Sequence, residues 1–242
     1  MWTIYKKEIR SFLSSLIAYV VMVVFLTAIG LFMWMIKGTT VFDLGVAGMD
    51  VLFQFAPLVF VFLVSAVTMK SFAEEKRLGT LETLTTHPVS DWGIIFGKFL
   101  AALSLLVFSL IPTLIYYFTI HRLGDPPGNL DTGATWGSYA GLILLGAAYV
   151  SIGLFSSVMT DNQIVALILS MSLCLAFYLL FGLAGEVEWM QGFDRSLEWF
   201  GLEFHYRSIS RGVADTRDLM YFFSFVAVFL YLTKFKFSAR KW

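Results

Sequence analysis

Few side chains in this sequence could do covalent or metal chemistry, and their spacing keeps them apart. His87, His121 and His205 fall in three different connecting segments, whereas a zinc site needs three or four converging ligands. The single cysteine, Cys174, lies inside the apolar run LSMSLCLAFYLL, which excludes an intramolecular disulfide and a cysteine cluster and suits a small core residue. Ser65, Ser104, Ser109, Ser151 and Ser172 sit in apolar stretches with no histidine at comparable depth, so no nucleophile–base pair is built there. Such hydroxyls bond helix carbonyls or pack small. Glu186 and Glu188 flank the end of an apolar run, where solvated carboxylates are ordinary. No G-x-x-x-x-G-K-[ST] phosphate loop occurs. The expectation is a chain that is not an enzyme and has no catalytic, cofactor-binding or metal-binding residues of its own. Gln54, Ser109 and Thr113, polar groups within apolar runs, are candidates to line a pathway.

The densest polar stretch is residues 70–91, KSFAEEKRLGTLETLTTHPVSD. Leu78, Leu81 and Leu84 recur every third residue, which on a helix confines them to an arc of roughly 120°. Gly79 costs a helix interior about 1 kcal/mol relative to alanine. The stretch is therefore one amphipathic helix, or two pieces with Gly79 ending the first and Thr80 capping the second. Pro88 stops it, and Ser90 stands where its hydroxyl caps the next helix, with Asp91 at the positive end of that helix.

The elements that must position this segment are membrane helices. Of 242 residues, 58% are hydrophobic and 14% charged, against about 25% charged in a soluble domain, and the mean hydropathy is +0.78. A net charge of zero gives no attraction for nucleic acid. About 20 residues cross a bilayer core, and the apolar runs place crossings near 16–36, 51–69, 93–120, 136–159, 164–184 and 219–233. None of these runs carries a charge at its centre; Lys98 lies just inside the third. The fold class read from this is all-α, a polytopic six-helix transmembrane bundle forming one domain over 1–242. Pro57 and Pro112 are expected to kink their helices.

Lysines and arginines concentrate in the N-terminal segment, the 70–91 stretch and the tail, which places both termini in the cytoplasm by the positive-inside rule; Arg195, Arg207, Arg211 and Arg217, set among seven acidic residues of 185–218, argue the other way. The four-residue connection Thr160–Gln163 makes the fourth and fifth helices antiparallel neighbours, with Asp161 or Asn162 as cap. Residues 185–218 alternate aromatics with charges, as short amphipathic helices at the outer interface do. Gly137 and Gly141 form a GxxxG pair expected to seat another helix of the same chain.

The run EEKRLGTLETLTTHPVSDW resembles the signature of ABC-2 type permeases, an acidic-basic cluster, then G-T-L-E-x-L and a Pro-Val-Ser step. Residues 153–166 and 210–223, together with the terminal Arg240-Lys-Trp242, are similar to the gliding-motility-associated permease subunits of that superfamily. The resemblance implies a multi-pass subunit of the cytoplasmic (inner) membrane whose 70–91 stretch is a coupling helix docking on an ATP-binding cassette ATPase. It assigns that contact to Glu74, Glu75, Arg77, Gly79, Thr80, Leu81, Glu82 and Leu84. ATP and magnesium would be bound by the partner ATPase, and the gliding system implies a second membrane subunit with an extracytoplasmic region. A non-transporting membrane scaffold for a motility or secretion complex is the rival reading.

Overall fold

A bilayer offers no water to an open strand edge, so a chain this apolar folds as helices that satisfy their own backbone. The computed structural model describes residues 1–45, 47–80, 90–181, 199–212 and 215–239. In order these form α1 (Trp2–Ser14), α2 (Leu16–Trp34), a short α3 (Val41–Leu44), α4 (Asp50–Thr68), α5 (Lys70–Arg77) and α6 (Asp91–Leu110). A 3₁₀ turn (Ile111–Thr113) leads to α7 (Leu114–Leu123), followed by α8 (Thr132–Met159) and α9 (Gln163–Leu175). The last widens into a π turn (Ala176–Leu180) before α10 (Leu202–Ser210) and α11 (Thr216–Ser238). Six stretches are long and apolar enough to cross a membrane: Leu16–Trp34, Asp50–Arg77, Asp91–Leu123, Thr132–Met159, Gln163–Leu180 and Thr216–Ser238. The all-α six-helix architecture is thus as expected, with no strand among the described residues.

Local chemistry sets the breaks. Pro112 sits in the 3₁₀ turn that divides the third span, having no N–H to continue the ladder. The hydroxyls of Ser109 and Thr113 donate to the carbonyls of Leu106 and Leu110 at 2.6 and 2.7 Å beside it. Pro57 is carried inside an unbroken α4. Asn162 accepts from the Ile164 N–H at 2.9 Å and caps α9, so α8 and α9 turn back on each other as the short connection required.

The three spans α4, α6–α7 and α8 are mostly buried, while only a minority of α2, α9 and α11 is buried and these lie at the periphery. Helix α8 is the axis of the bundle, packing against α4, α6, α9, α10 and α11. Glycines make those approaches possible. A Cβ on Gly146 would fall 2.5 Å from Leu106, and one on Gly153 2.1 Å from the Thr68 hydroxyl. Gly137 and Gly141 face Gly212, Ile209 and Tyr206, so the GxxxG pair seats α10 of the same chain. The Tyr206 hydroxyl then donates to the Phe53 carbonyl at 2.8 Å. Buried His205 bridges Asp218 at 2.6 Å and the Trp199 carbonyl at 2.8 Å, tying α10 to α11.

Gly153→Ala should lower bundle stability by about 1–3 kcal/mol through overpacking against Thr68. Gly133→Ala, where the nearest atom is the Asp131 carboxylate at 3.4 Å, should be neutral or mildly stabilising; melting temperatures of the purified proteins check both.

Candidate functional site

Helix α1 carries its buried side chains at Ile4, Glu8 and Phe12, one stripe at i, i+4 and i+8, with Lys6, Lys7 and Arg10 outside it. The stripe lies along α6, where Gly97 lets Ile4 and the Met1 carbonyl approach to within 3.0–3.2 Å of where its Cβ would stand. Tyr5 and Ser104 share a hydrogen bond at 3.1 Å along the same seam. A carboxylate on an inward face must be met by charge. The partner is Lys98, two turns into α6 and only 1% exposed.

The Lys98 ammonium lies 2.9 Å from Glu8 Oε1 and 3.0 Å from Glu75 Oε1, and donates to the Ser71 carbonyl at 2.6 Å. Three donors therefore face three acceptors. The Phe72 ring sits 5.1 Å from the same nitrogen. Lys7 reaches Glu75 Oε1 at 3.0 Å and Glu8 at 3.8 Å from the exposed side. Burial pulls the Lys7 ammonium down, but the hydrogen bond and charge of Glu75, with Glu8 adding to them, carry it above the ordinary lysine value. Two cations and two carboxylates thus form a neutral knot joining α1, α5 and α6.

Helix α5 follows α4 after the single residue Met69, which keeps helical dihedrals. Its junction is held by α8: Ser157 Oγ accepts from the N–H groups of Phe72 and Ala73 at 3.0 and 3.1 Å and donates to the Met69 carbonyl at 3.1 Å. Lys76 donates to the Val158 carbonyl and lies 3.9 Å from Asp161. At its far edge Gly79 takes φ +69° and closes the helix in the left-handed conformation that glycine tolerates. Phe72 also meets Phe237 of α11 at 5.5 Å, while Ser238 donates to Asp91 at 3.0 Å and Lys234 lies over Trp92 at 5.1 Å. Ser90 accepts from the Gly93 N–H at 3.2 Å and starts α6. Helix α1, α5, the start of α6 and the last turns of α11 therefore share one end of the bundle.

The residues assigned to the coupling contact divide between two faces. Glu75 is buried in the knot, Glu74 is half-buried, and Arg77, Gly79 and Thr80 are exposed with Leu78 between them. Leu81, Glu82, Leu84, His87 and Pro88 lie outside the described residues, as do 182–198 of the outer amphipathic segment and Arg240–Trp242. Gln54 is exposed on α4, whereas Ser109 and Thr113 are buried and held by carbonyls, Thr113 also sharing a hydrogen bond with Tyr139 at 2.9 Å. These three do not form one lining. Lys98 and Glu8 were not among the expected residues. The signal for them was present: a glutamate at i+4 between Ile4 and Phe12, and a lysine within an apolar helix, each out of place without the other.

The site holds no constellation for bond-breaking chemistry among the described residues, nor any group of three metal-binding side chains. Its construction is mechanical, a short polar helix fixed from inside. The sequence profile described as ABC-2 family transporter protein matches residues 2–234. The chain belongs to this family. Comparison with curated proteins gives no match. As an ABC-2 family protein the chain is a multi-pass membrane component of a transporter, and the knot, the α4–α5 junction and α8 all lie within the matched residues.

Lys98→Met should destabilise the fold by about 3 kcal/mol, since it leaves two buried carboxylates to share the half-exposed Lys7. Adding Glu8→Gln and Glu75→Gln to Lys98→Met should recover most of that loss; chemical or thermal unfolding in detergent measures both.

Proposed function

We propose that this chain is the permease subunit of an ABC-2 exporter and that α5, with residues 78–84, receives the work of ATP hydrolysed by a partner ATPase. The observation that carries this reading is the two-sidedness of α5. One face is fastened to α1, α6 and α8 through Glu75, Lys98 and Ser157. The other offers Arg77, Thr80 and an exposed leucine, Leu78, 61% accessible. An aliphatic anchor ringed by charge suits a protein interface. A load applied there passes into the bundle because the inner face cannot slip.

On this reading α5, both termini and the start of α6 face the cytoplasm of the inner membrane, in line with the excess of lysine and arginine at that end. ATP and magnesium belong to the ATPase subunit, whose nucleotide states would bias the bundle through differential contacts with α5. The similarity of residues 153–166 and 210–223 to gliding-motility permeases supports gliding as the process served. It also supports a second membrane subunit with an extracytoplasmic region as partner.

Arg77→Glu combined with Leu78→Ala should weaken capture of the ATPase at least about tenfold, the loss expected for a docking hot spot, with the unfolding midpoint unchanged. Glu82→Lys with Leu81→Ala should act in the same way. Full capture and full ATPase stimulation by both variants would refute the coupling contact. Capture without any cargo-dependent stimulation in reconstituted vesicles would leave the scaffold reading in its place.

A further inference from the structure

The face of α11 turned away from the core carries a long groove that coupling does not use. Open to the outside, it offers about 760 Å³ between the π turn of α9 and α11, lined by Phe177, Phe181, Phe225 and Phe229. The walls are braced ring on ring: Phe177 meets Phe225 at 5.2 Å and Phe229 at 5.6 Å, and Phe225 meets Phe229 at 4.9 Å. The π turn, an insertion that often marks a functional position in a helix, sets Phe177 on this wall.

At one mouth stand Trp199 and Arg217. Trp199 lies outside the spans but packs against Tyr221 near the start of the last one, and tryptophan beside a span's end belongs at headgroup depth. Arg217 is exposed and has no carboxylate partner among the described residues. From Met220 to Leu232 the groove follows α11 for about 18 Å at 1.5 Å per residue, close to one leaflet of a hydrocarbon core of roughly 30 Å. A cation at headgroup depth over an apolar slot one leaflet long matches a single anionic molecule with a hydrocarbon tail. We propose that this groove is a binding site for an anionic phospholipid, its phosphate paired with Arg217 and one acyl chain laid along the joined rings of Phe177, Phe225 and Phe229. Arginine suits the phosphate because its planar fork matches two oxygens at once.

The full-length protein, purified in mild detergent, is titrated with phosphatidylglycerol or phosphatidylcholine, and bound lipid is counted by native mass spectrometry. One phosphatidylglycerol should be retained in preference to phosphatidylcholine. Arg217→Gln should weaken its retention about fivefold, the effect of one cation at an anionic lipid surface. Val228→Trp, placed on an exposed wall residue, should block it, and Arg10→Gln on α1 should leave it unchanged. Equal retention of the two lipids, wild-type retention in both groove variants, or competition by inorganic phosphate alone would each overturn the proposal. So would a wild-type protein that keeps no lipid while Val228→Trp lowers its melting temperature, the result expected if residues 182–198 of the chain itself fill the groove. Circular dichroism of each variant separates lost binding from lost folding.

Discussion

The ammonium of Lys98 governs the end of the bundle that carries α1, α5 and the last turns of α11. Its position in α6 is set by the packing of that helix against α1, α8 and α11. A charge held there at 1% exposure has no access to bulk water, so its acceptors have to come from neighbouring helices. Glu8 supplies one from α1, and Ser71 and Glu75 supply two from α5. Three elements, also tied by Tyr5–Ser104 and by Ser157, acquire a common fixed point. The amphipathic α1 is thereby part of the fold, and its cations Lys6 and Arg10 are exposed as a consequence of Glu8 facing in.

The rest of the bundle is organised by close approach. Lipid tails are as apolar as leucine, so burying apolar surface does not by itself draw membrane helices together. Small residues along α8 solve this by letting backbones near one another, with Gly146 against Leu106 and Gly153 against Thr68. The serines of α8 then supply polar contacts at that short range, Ser157 to the start of α5 and Ser138 to the Ser210 carbonyl at 2.9 Å. One helix therefore bonds to α5 at one end and to α10 at the other. His205, Asp218 and Trp199 complete the second end.

The six-helix architecture was legible because hydropathy in a membrane protein is a local property, read twenty residues at a time. Caps and breaks followed the same logic: Asn162, Ser90, Gly79 and Pro112 each act on their own helix. The knot was not legible by that route. Glu8, Glu75 and Lys98 are separated by up to 90 positions, and their pairing depends on which faces of α1, α5 and α6 meet. The N-terminal cations read as a flank of the first span, which hid the Ile4, Glu8, Phe12 stripe beneath them. Assigning Glu75 to the partner contact followed from the resemblance, which marks a segment without telling its inner face from its outer one. Only the packing of α5 against α6 and α8 separates Glu75 from Arg77. His205 was set aside because no second histidine accompanies it, yet a single carboxylate and a carbonyl suffice to hold it in the core.

On the proposed reading, the choice of an ionic tether over an apolar one has a mechanical reason. Aliphatic contacts between helices resist separation but allow rotation and sliding at little cost, since one methyl group replaces another. Lys98 faces acceptors on both α1 and α5, one of them a backbone carbonyl, and that geometry is satisfied at one height and one rotation of α5. Ser157 adds a second point from α8, through two consecutive backbone N–H groups in the first turn of α5. A helix pinned at two points cannot roll under load. Force applied at Leu78 and Arg77 is then carried into α8 and α6 as displacement, because the alternative, breaking either contact, exposes a buried charge or an orphaned backbone donor.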